Sequence, residues 1–181
     1  MSVAALDREQ DLLRGLSPEQ QKHIKEQAQA MMKEKLSAME QTWGCAEKGD
    51  LRGLVEHLID KKDFEDVNAR DDQGRTLLHL ACFSGKLDCV KFLLEDCRAD
   101  ARVSDSNKRT LLHVAAFGNH VKIAQLLILK GANVNALDST GSSPLHWANK
   151  KGNSEVAVVL IERGAELDRQ TDEGKFFVFF F

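Results

Sequence analysis

The sequence is short of what most activities are built from. Only two prolines occur, Pro18 and Pro144, and no low-complexity linker divides the chain. The four cysteines, Cys45, Cys82, Cys89 and Cys97, form no C-x-x-C pair and have no His-x-x-x-His partner, which argues against a zinc site. Small buried thiols in a reducing compartment are the expectation instead. No run approaches the ~20 apolar residues of a membrane helix, and the start, MSVAALDREQDLLRG, is acidic with no signal-peptide core. A cytoplasmic or nuclear protein without stable membrane insertion is therefore expected. A net charge of −3 and a pI near 6.1 leave no basic excess for phosphates, so nucleic acid is not an expected partner. There is no GxxxxGK at a strand-to-helix junction, no paired acid–base site and no Ser–His–Asp order. An enzyme is not expected, nor a cofactor or a metal.

What the chain does have is an ordinary globular composition, 43% hydrophobic and 29% charged, which suffices for one sizeable core. It also repeats itself. RTLLHLACFSG at 75–85 returns as RTLLHVAAFGN at 109–119 and more weakly as SSPLHWANKKG at 142–152. His79 and His113 are 34 residues apart, and His113 and His146 are 33 apart. Asp71, Asp105 and Asp138 keep the same beat eight residues before each histidine, and Thr76, Thr110 and Ser143 keep it three before. Ala81, Ala115 and Ala148 follow each histidine by two, and Gly131 and Gly164 follow the last two by eighteen. A fixed period of this length marks a stack of supersecondary units.

Local chemistry says what each unit is. Thr76, Thr110 or Ser143 can cap a helix N-terminus, and Pro144 suits a first helical position. Gly85, Asn119 or Gly152 ends that helix six residues past the histidine, since glycine and asparagine tolerate a left-handed turn. A second, amphipathic helix follows. Its apolar stripes are Leu87, Val90, Phe92, Leu93 and Leu94, then Val121, Ile123, Leu126 and Leu127, then Val156, Val159 and Leu160. One unit cannot bury such a face alone, but stacked neighbours can.

Period and motifs together resemble the ankyrin repeat over about 43–175. The resemblance implies an all-α solenoid of about four units, each a β-turn finger and two antiparallel helices, at approximately 41–70, 71–103, 104–136 and 137–170, with a partial fifth from 171. In the divergent first unit Trp43 holds the histidine place, Gly49 follows six later, and Leu51, Leu54, Val55, Leu58 and Ile59 form the stripe. The 36-residue step from Trp43 to His79 implies a longer connection around KKDFED. The histidines are expected to tie turn backbone to neighbouring backbone by hydrogen bonds. A catalytic histidine would occur once, beside a nucleophile or carboxylate.

Residues 1–40 lie outside the repeat and read as an N-terminal helical extension. Ser17, Pro18 and Gln20 make a helix start. Ile24, Ala28, Met31, Met32, Leu36, Met39 and Trp43 form a stripe expected to pack on the first repeat as a cap, or else to bind a partner. Residues 3–14 suggest a second short helix. The apolar tail 176–181, FFVFFF, has the composition of an aggregation-prone edge, and is either a docked makeshift cap or an artefact.

In ankyrin-like stacks, binding uses the finger tips and the exposed side of the first helices, along a concave face. Position by position this singles out Asp72, Gln73 and Arg75; Ser106, Asn107, Lys108 and Arg109; and Ser139, Thr140 and Ser142 on three fingers. Phe83, Ser84, Phe117, Lys150 and Lys151 come from the first helices. Lys108 stands where the resemblance expects a finger glycine. Phe83 and Phe117 hold equivalent places and should stand side by side, facing solvent, with Arg75, Lys108, Arg109, Lys150 and Lys151 around them. Exposed aromatics often mark interfaces. The expected function is non-catalytic protein binding, as adaptor, inhibitor or scaffold, by a monomer. Its partner would be an extended or loop segment with apolar anchors and acids. An organelle-targeting or client-holding chaperone, and a regulatory part of a ligand-binding or enzyme assembly, are the alternatives.

Overall fold

The structure, a computed structural model, describes residues 17–60, 66–167 and 171–172. The possible helix at 3–14, most of the KKDFED connection and the tail 176–181 lie outside them. The chain divides into two compact units, 1–40 and 41–181. A helix α1 runs Pro18–Lys48. Its start is as expected: Gln20 N–H donates to Ser17 Oγ, and Gln20 Oε1 accepts the Ser17 N–H. Ile24, Met31, Met32 and Leu36 are all exposed on it, with Met31 at 63% and Met32 at 69%.

In the second unit, α2 (Leu51–Val55) runs into a π-helical turn, Glu56–Asp60. Three helix pairs follow: α3 (Leu77–Ser84) with α4 (Leu87–Glu95), α5 (Leu111–Phe117) with α6 (Val121–Leu129), and α7 (Pro144–Lys151) with α8 (Ser154–Glu162). The divergent first unit differs from the rest in one respect. Its first helix is no separate element, because Trp43 lies within α1, which continues to Lys48 before Gly49 turns the chain at φ +71°.

Stacking is regular along the pairs. α5 packs on α3 and α7, and α6 packs on α4 and α8. The core runs continuously through Leu54, Leu77, Leu78, Leu93, Leu111, Leu112, Ile123, Leu127, Leu145 and Leu160, each 0–1% exposed. Burying a leucine that completely contributes about 1.5–3 kcal/mol. Every second-helix stripe read from the 3.6-residue period in the three regular units is at least partly buried. In the first unit, Leu51 and Ile59 stay exposed at its margin.

Three turns depend on left-handed backbone held by residues other than glycine. Lys108 lies at φ +58°, beside +72° for Gly74 and +69° for Gly141 in the equivalent fingers. The lysine therefore keeps the finger geometry instead of breaking it. Asn119 at +54° matches Gly85 and Gly152, as its amide side chain allows. Arg98 at +56° sits where later repeats carry Gly131 and Gly164.

Candidate functional site

The fingers are built by one aspartate each. Asp71 Oδ1 accepts the N–H groups of Gln73 and Arg75. Asp105 does the same for Asn107 and Arg109, and Asp138 for Thr140 and Ser142. Such side-chain-to-backbone bonds close a turn without any sheet. The fingers are then joined in series: Ser106 N–H donates to Gln73 O at 2.9 Å, Ser139 N–H to Asn107 O at 2.8 Å, and Asp172 N–H to Thr140 O at 3.2 Å. The last of these carries the series into the partial fifth unit.

The histidines hold fingers to helices. Nδ1 of His79, His113 and His146 accepts the backbone N–H of Thr76, Thr110 and Ser143 at 3.1–3.2 Å, completing a capping box at each first helix. With Nδ1 accepting, Nε2 carries the proton, and it donates to Arg109 O from His79 and to Ser142 O from His113. The buried rings of His79 and His113 thus link their own helix caps to the next finger. Burial pushes His79 down to about 4, partly opposed by the Arg109 carbonyl, and lowers His113 in the same way. The cap hydroxyls of Thr76 and Thr110 lie 3.0 and 2.9 Å from the same Nδ1 atoms, so each ring is tied into its helix cap.

Between fingers and first helices lie two adjoining cavities. One, of about 600 Å³, is lined by Phe117, Asp138, Thr140, Ser142, His146, Trp147, Asn149, Lys150, Lys151 and Thr171. The other, of about 260 Å³, is lined by Glu47, Gln73, Arg75, His79, Leu80, Phe83, Asp105, Arg109, Val114, Phe117 and Trp147. Of the residues singled out from sequence, Gln73, Arg75, Phe83, Arg109, Phe117, Thr140, Ser142, Lys150 and Lys151 line this groove. Asp72, Ser106, Asn107, Lys108 and Ser139 are exposed on the fingers but line neither cavity. Ser84 is turned inward, its hydroxyl donating to Ala81 O.

Phe83 is 60% exposed and Phe117 37%, so both face solvent. Their surroundings differ. Phe117 meets Trp147 edge-on at 5.7 Å, and Lys151 Nζ lies 4.1 Å from its ring centre. Trp147 also meets His113 edge-on at 5.7 Å. Trp147, Val114 and Leu80 were missed in the sequence reading. They follow the repeat histidines by one residue and precede Lys150, Phe117 and Phe83 by three, so helical spacing puts each pair on one face. That was the signal available.

The cations also divide. Arg75 Nε is paired with Asp71 Oδ2 at 2.7 Å, and Arg109 Nε is paired with Asp105 Oδ2. Burial pushes the Asp71 carboxyl up, but the N–H groups and guanidinium of Arg75 outweigh it and hold the group below the usual range. In the fourth unit Ser142 stands at the arginine place. Asp138 there takes Trp147 Nε1–H at 2.9 Å and the Thr140 hydroxyl, and hydrogen bonds again overcome burial to keep it ionised. Among the described residues no carboxylate is paired with Lys150 or Lys151, both of which are exposed. No group of metal-holding side chains occurs among the described residues, and no helix among them is long and apolar enough to cross a membrane.

Comparison with known proteins gives the same architecture. The chain is 36% identical over 116 residues to palmitoyltransferase AKR1 of Saccharomyces cerevisiae, 58% of this chain and 14% of that protein. It is 38% identical over 101 residues to the B-cell lymphoma 3 protein homolog of Mus musculus, 56% of this chain and 22% of that protein. It is 33% identical over 107 residues to neurogenic locus notch homolog protein 1 of Homo sapiens, 59% of this chain and 4% of that protein. The chain thus spans less than a quarter of the length of each of these relatives. The family model described as ankyrin repeats (3 copies) matches residues 43–138 and again 97–171, which takes in every finger, framework histidine and helix pair described above. The chain belongs to the ankyrin-repeat family.

Proposed function

We propose that this chain is a non-catalytic protein-binding module whose groove between fingers and first helices grips an extended segment of another protein, as an adaptor, inhibitor or scaffold. The observation that carries the reading is the pair of solvent-facing rings, Phe83 and Phe117, on adjacent first helices, continued by the half-buried Trp147 on the next. An exposed aromatic pair has an unfavourable hydration cost that a partner would relieve. Ankyrin repeats serve as protein-interaction modules, which supports the class of function. The partner would supply one or two large apolar anchors and acidic groups. The chain itself would act as a monomer in the cytoplasm or nucleus.

The test is capture from cell lysate with the intact chain and with Phe83→Ala/Phe117→Ala. Central anchors truncated to alanine cost ~2 kcal/mol or more, so captured partners should fall at least tenfold at a temperature where the double variant is shown to be folded. Undiminished capture by the folded double variant would refute the groove as the binding face.

The exposed Ile24, Met31, Met32 and Leu36 stripe favours a second reading, in which α1 is a partner-binding or client-holding arm. Capture that is lost on removing residues 1–40, and also on Met31→Gln/Met32→Gln, would select it.

A further inference from the structure

We infer that the groove reads its partner in two separate halves, an apolar half that takes the anchor and a lysine half that takes a pair of carboxylates, and that the arginines between them do not read acids. This rests on the protein-binding reading above and concerns the chemistry of the segment it takes.

The division follows from which charges are already satisfied. Arg75 and Arg109 line the apolar half with Leu80, Phe83, Val114, Phe117 and Trp147, but each is tied through Nε to its own finger aspartate. Each pair is net neutral and partly shielded: Asp71 is 21% exposed and Asp105 2%. A partner acid arriving there meets the aspartate as well as the arginine, and little net attraction remains. This half is therefore an apolar slot with a neutral rim. Glu47 at its margin adds one negative charge.

The other half is different because the fourth unit lacks the finger arginine. Asp138 is instead satisfied by Trp147, Thr140 and Ser142, and is 7% exposed. Lys150 and Lys151 stand beside it on the last turn of α7, exposed, with the Thr140 and Ser142 hydroxyls and the Asn149 amide on the same wall. Among the residues that line this cavity, Lys150 and Lys151 outnumber the one aspartate, which is buried. The aliphatic stem of Lys151 is held where its ammonium lies over the Phe117 ring. Phe117 and Trp147 line both cavities, so the two halves share a wall. Ammonium groups attract acids by charge, and the exposed pair of adjacent lysines suits the two carboxylates of neighbouring acidic side chains.

Geometry then sets a spacing. Neighbouring packed helices lie about 8–10 Å apart, and an extended chain advances about 3.3 Å per residue. An anchor seated between Phe83 and Phe117 lies about one and a half helix spacings, roughly 12–15 Å, from α7, which places the acids about four residues away, on the side toward α7 only.

Twelve-residue peptides with one fixed phenylalanine anchor, a Glu-Glu pair walked from one to six residues on either side, and small polar residues elsewhere would test this with the intact chain, read by fluorescence anisotropy. Affinity should peak near a four-residue spacing on one side of the anchor. Lys150→Gln/Lys151→Gln should weaken the peak peptide about fivefold to tenfold and leave the acid-free anchor peptide within about twofold. Arg75→Gln/Arg109→Gln, checked for folding by circular dichroism, should weaken it less than the lysine pair does. Affinity indifferent to acid position, no binding above the acid-free peptide, or arginine variants that outrank the lysine variants would each overturn the inference. Tighter binding of a phosphoserine pair than of the glutamates would overturn the carboxylate assignment. Failure of the binding reading itself would look different: the acid-free anchor peptide would bind Phe83→Ala/Phe117→Ala as well as it binds the parent.

Discussion

Trp147 Nε1 donates to Asp138 Oδ2 at 2.9 Å, in the place where Asp71 and Asp105 are held by arginines. One finger aspartate has thus found an indole partner, and the exchange puts a large aromatic wall into the groove. Replacing Trp147 by phenylalanine keeps much of the wall but removes the donor. Because the acceptor is ionised and buried, a loss of about 1.5–3 kcal/mol is expected in urea unfolding. Asp138→Asn together with Trp147→Phe should cost less than the sum of the two single changes. Strict additivity would mean that the bond contributes nothing.

Stability should fall as the solution is acidified, in two separate windows. His79 and His113 are more easily protonated in the unfolded chain than in the fold, where burial lowers both. A group whose folded value is depressed contributes fully above its unfolded value, near 6.5, and loses that contribution as pH falls toward the folded value, about 4 for His79. The span for His79 corresponds to about 3 kcal/mol. The carboxylates Asp71 and Asp138, also depressed, add a second loss below about 3.8. Urea midpoints measured between pH 7 and 4 should decline for the parent and decline less for His79→Gln. A flat profile would contradict neutral buried rings.

His113→Ala should cost roughly 1–3 kcal/mol, since it leaves the Thr110 N–H and the Ser142 carbonyl without their partner. The change should lower the unfolding midpoint without selectively removing any chemical activity. Selective loss of a hydrolase or transferase activity in a folded variant would show the ring to be more than framework.

Lys108 and Arg98 hold left-handed backbone at φ +58° and +56°. That conformation costs a residue with a Cβ about 1–2 kcal/mol, partly offset by the greater freedom glycine gives the unfolded chain. Lys108→Gly and Arg98→Gly should each raise stability by about 0.5–1 kcal/mol. Calorimetry showing either variant destabilised would mean that the side chain makes a contact worth more than the backbone relief.

The two groove phenylalanines should behave unequally. Phe83 is the more exposed, and Phe83→Ala is expected to change stability by less than about 0.5 kcal/mol. Phe117 contacts Trp147 and lies under Lys151, so Phe117→Ala should cost an extra 0.5–1.5 kcal/mol or so. Equal thermal shifts for the two variants would show that these ring contacts do not persist in solution.

Much of the fold was legible because its causes are local in sequence. A threonine three residues before a histidine closes a capping box within one helical turn, and a glycine or asparagine six residues on ends the helix. The 3.6-residue stripes state which face is buried before its cover is known, and a period of 33 or 34 residues requires that the cover be another copy. The first unit was less legible, since nothing local in WGCAEKG marks its first helix as the end of α1 instead of a separate element. The stripe of α1 shows the limit of periodicity: spacing states which face of a helix is apolar, not what covers it. The groove followed the same rule. Phe83 and Phe117 could be placed from repeat positions, because equivalent residues of stacked units must align, whereas Trp147 holds a different position and could not. Which cations remain open could not be so placed. Arg75, Arg109, Lys150 and Lys151 look alike as letters, and only the folded fingers bring Asp71 and Asp105 onto the arginines while Asp138 turns to an indole nine residues away. Charge pairing falls off with distance in space, and the sequence orders residues only along the chain.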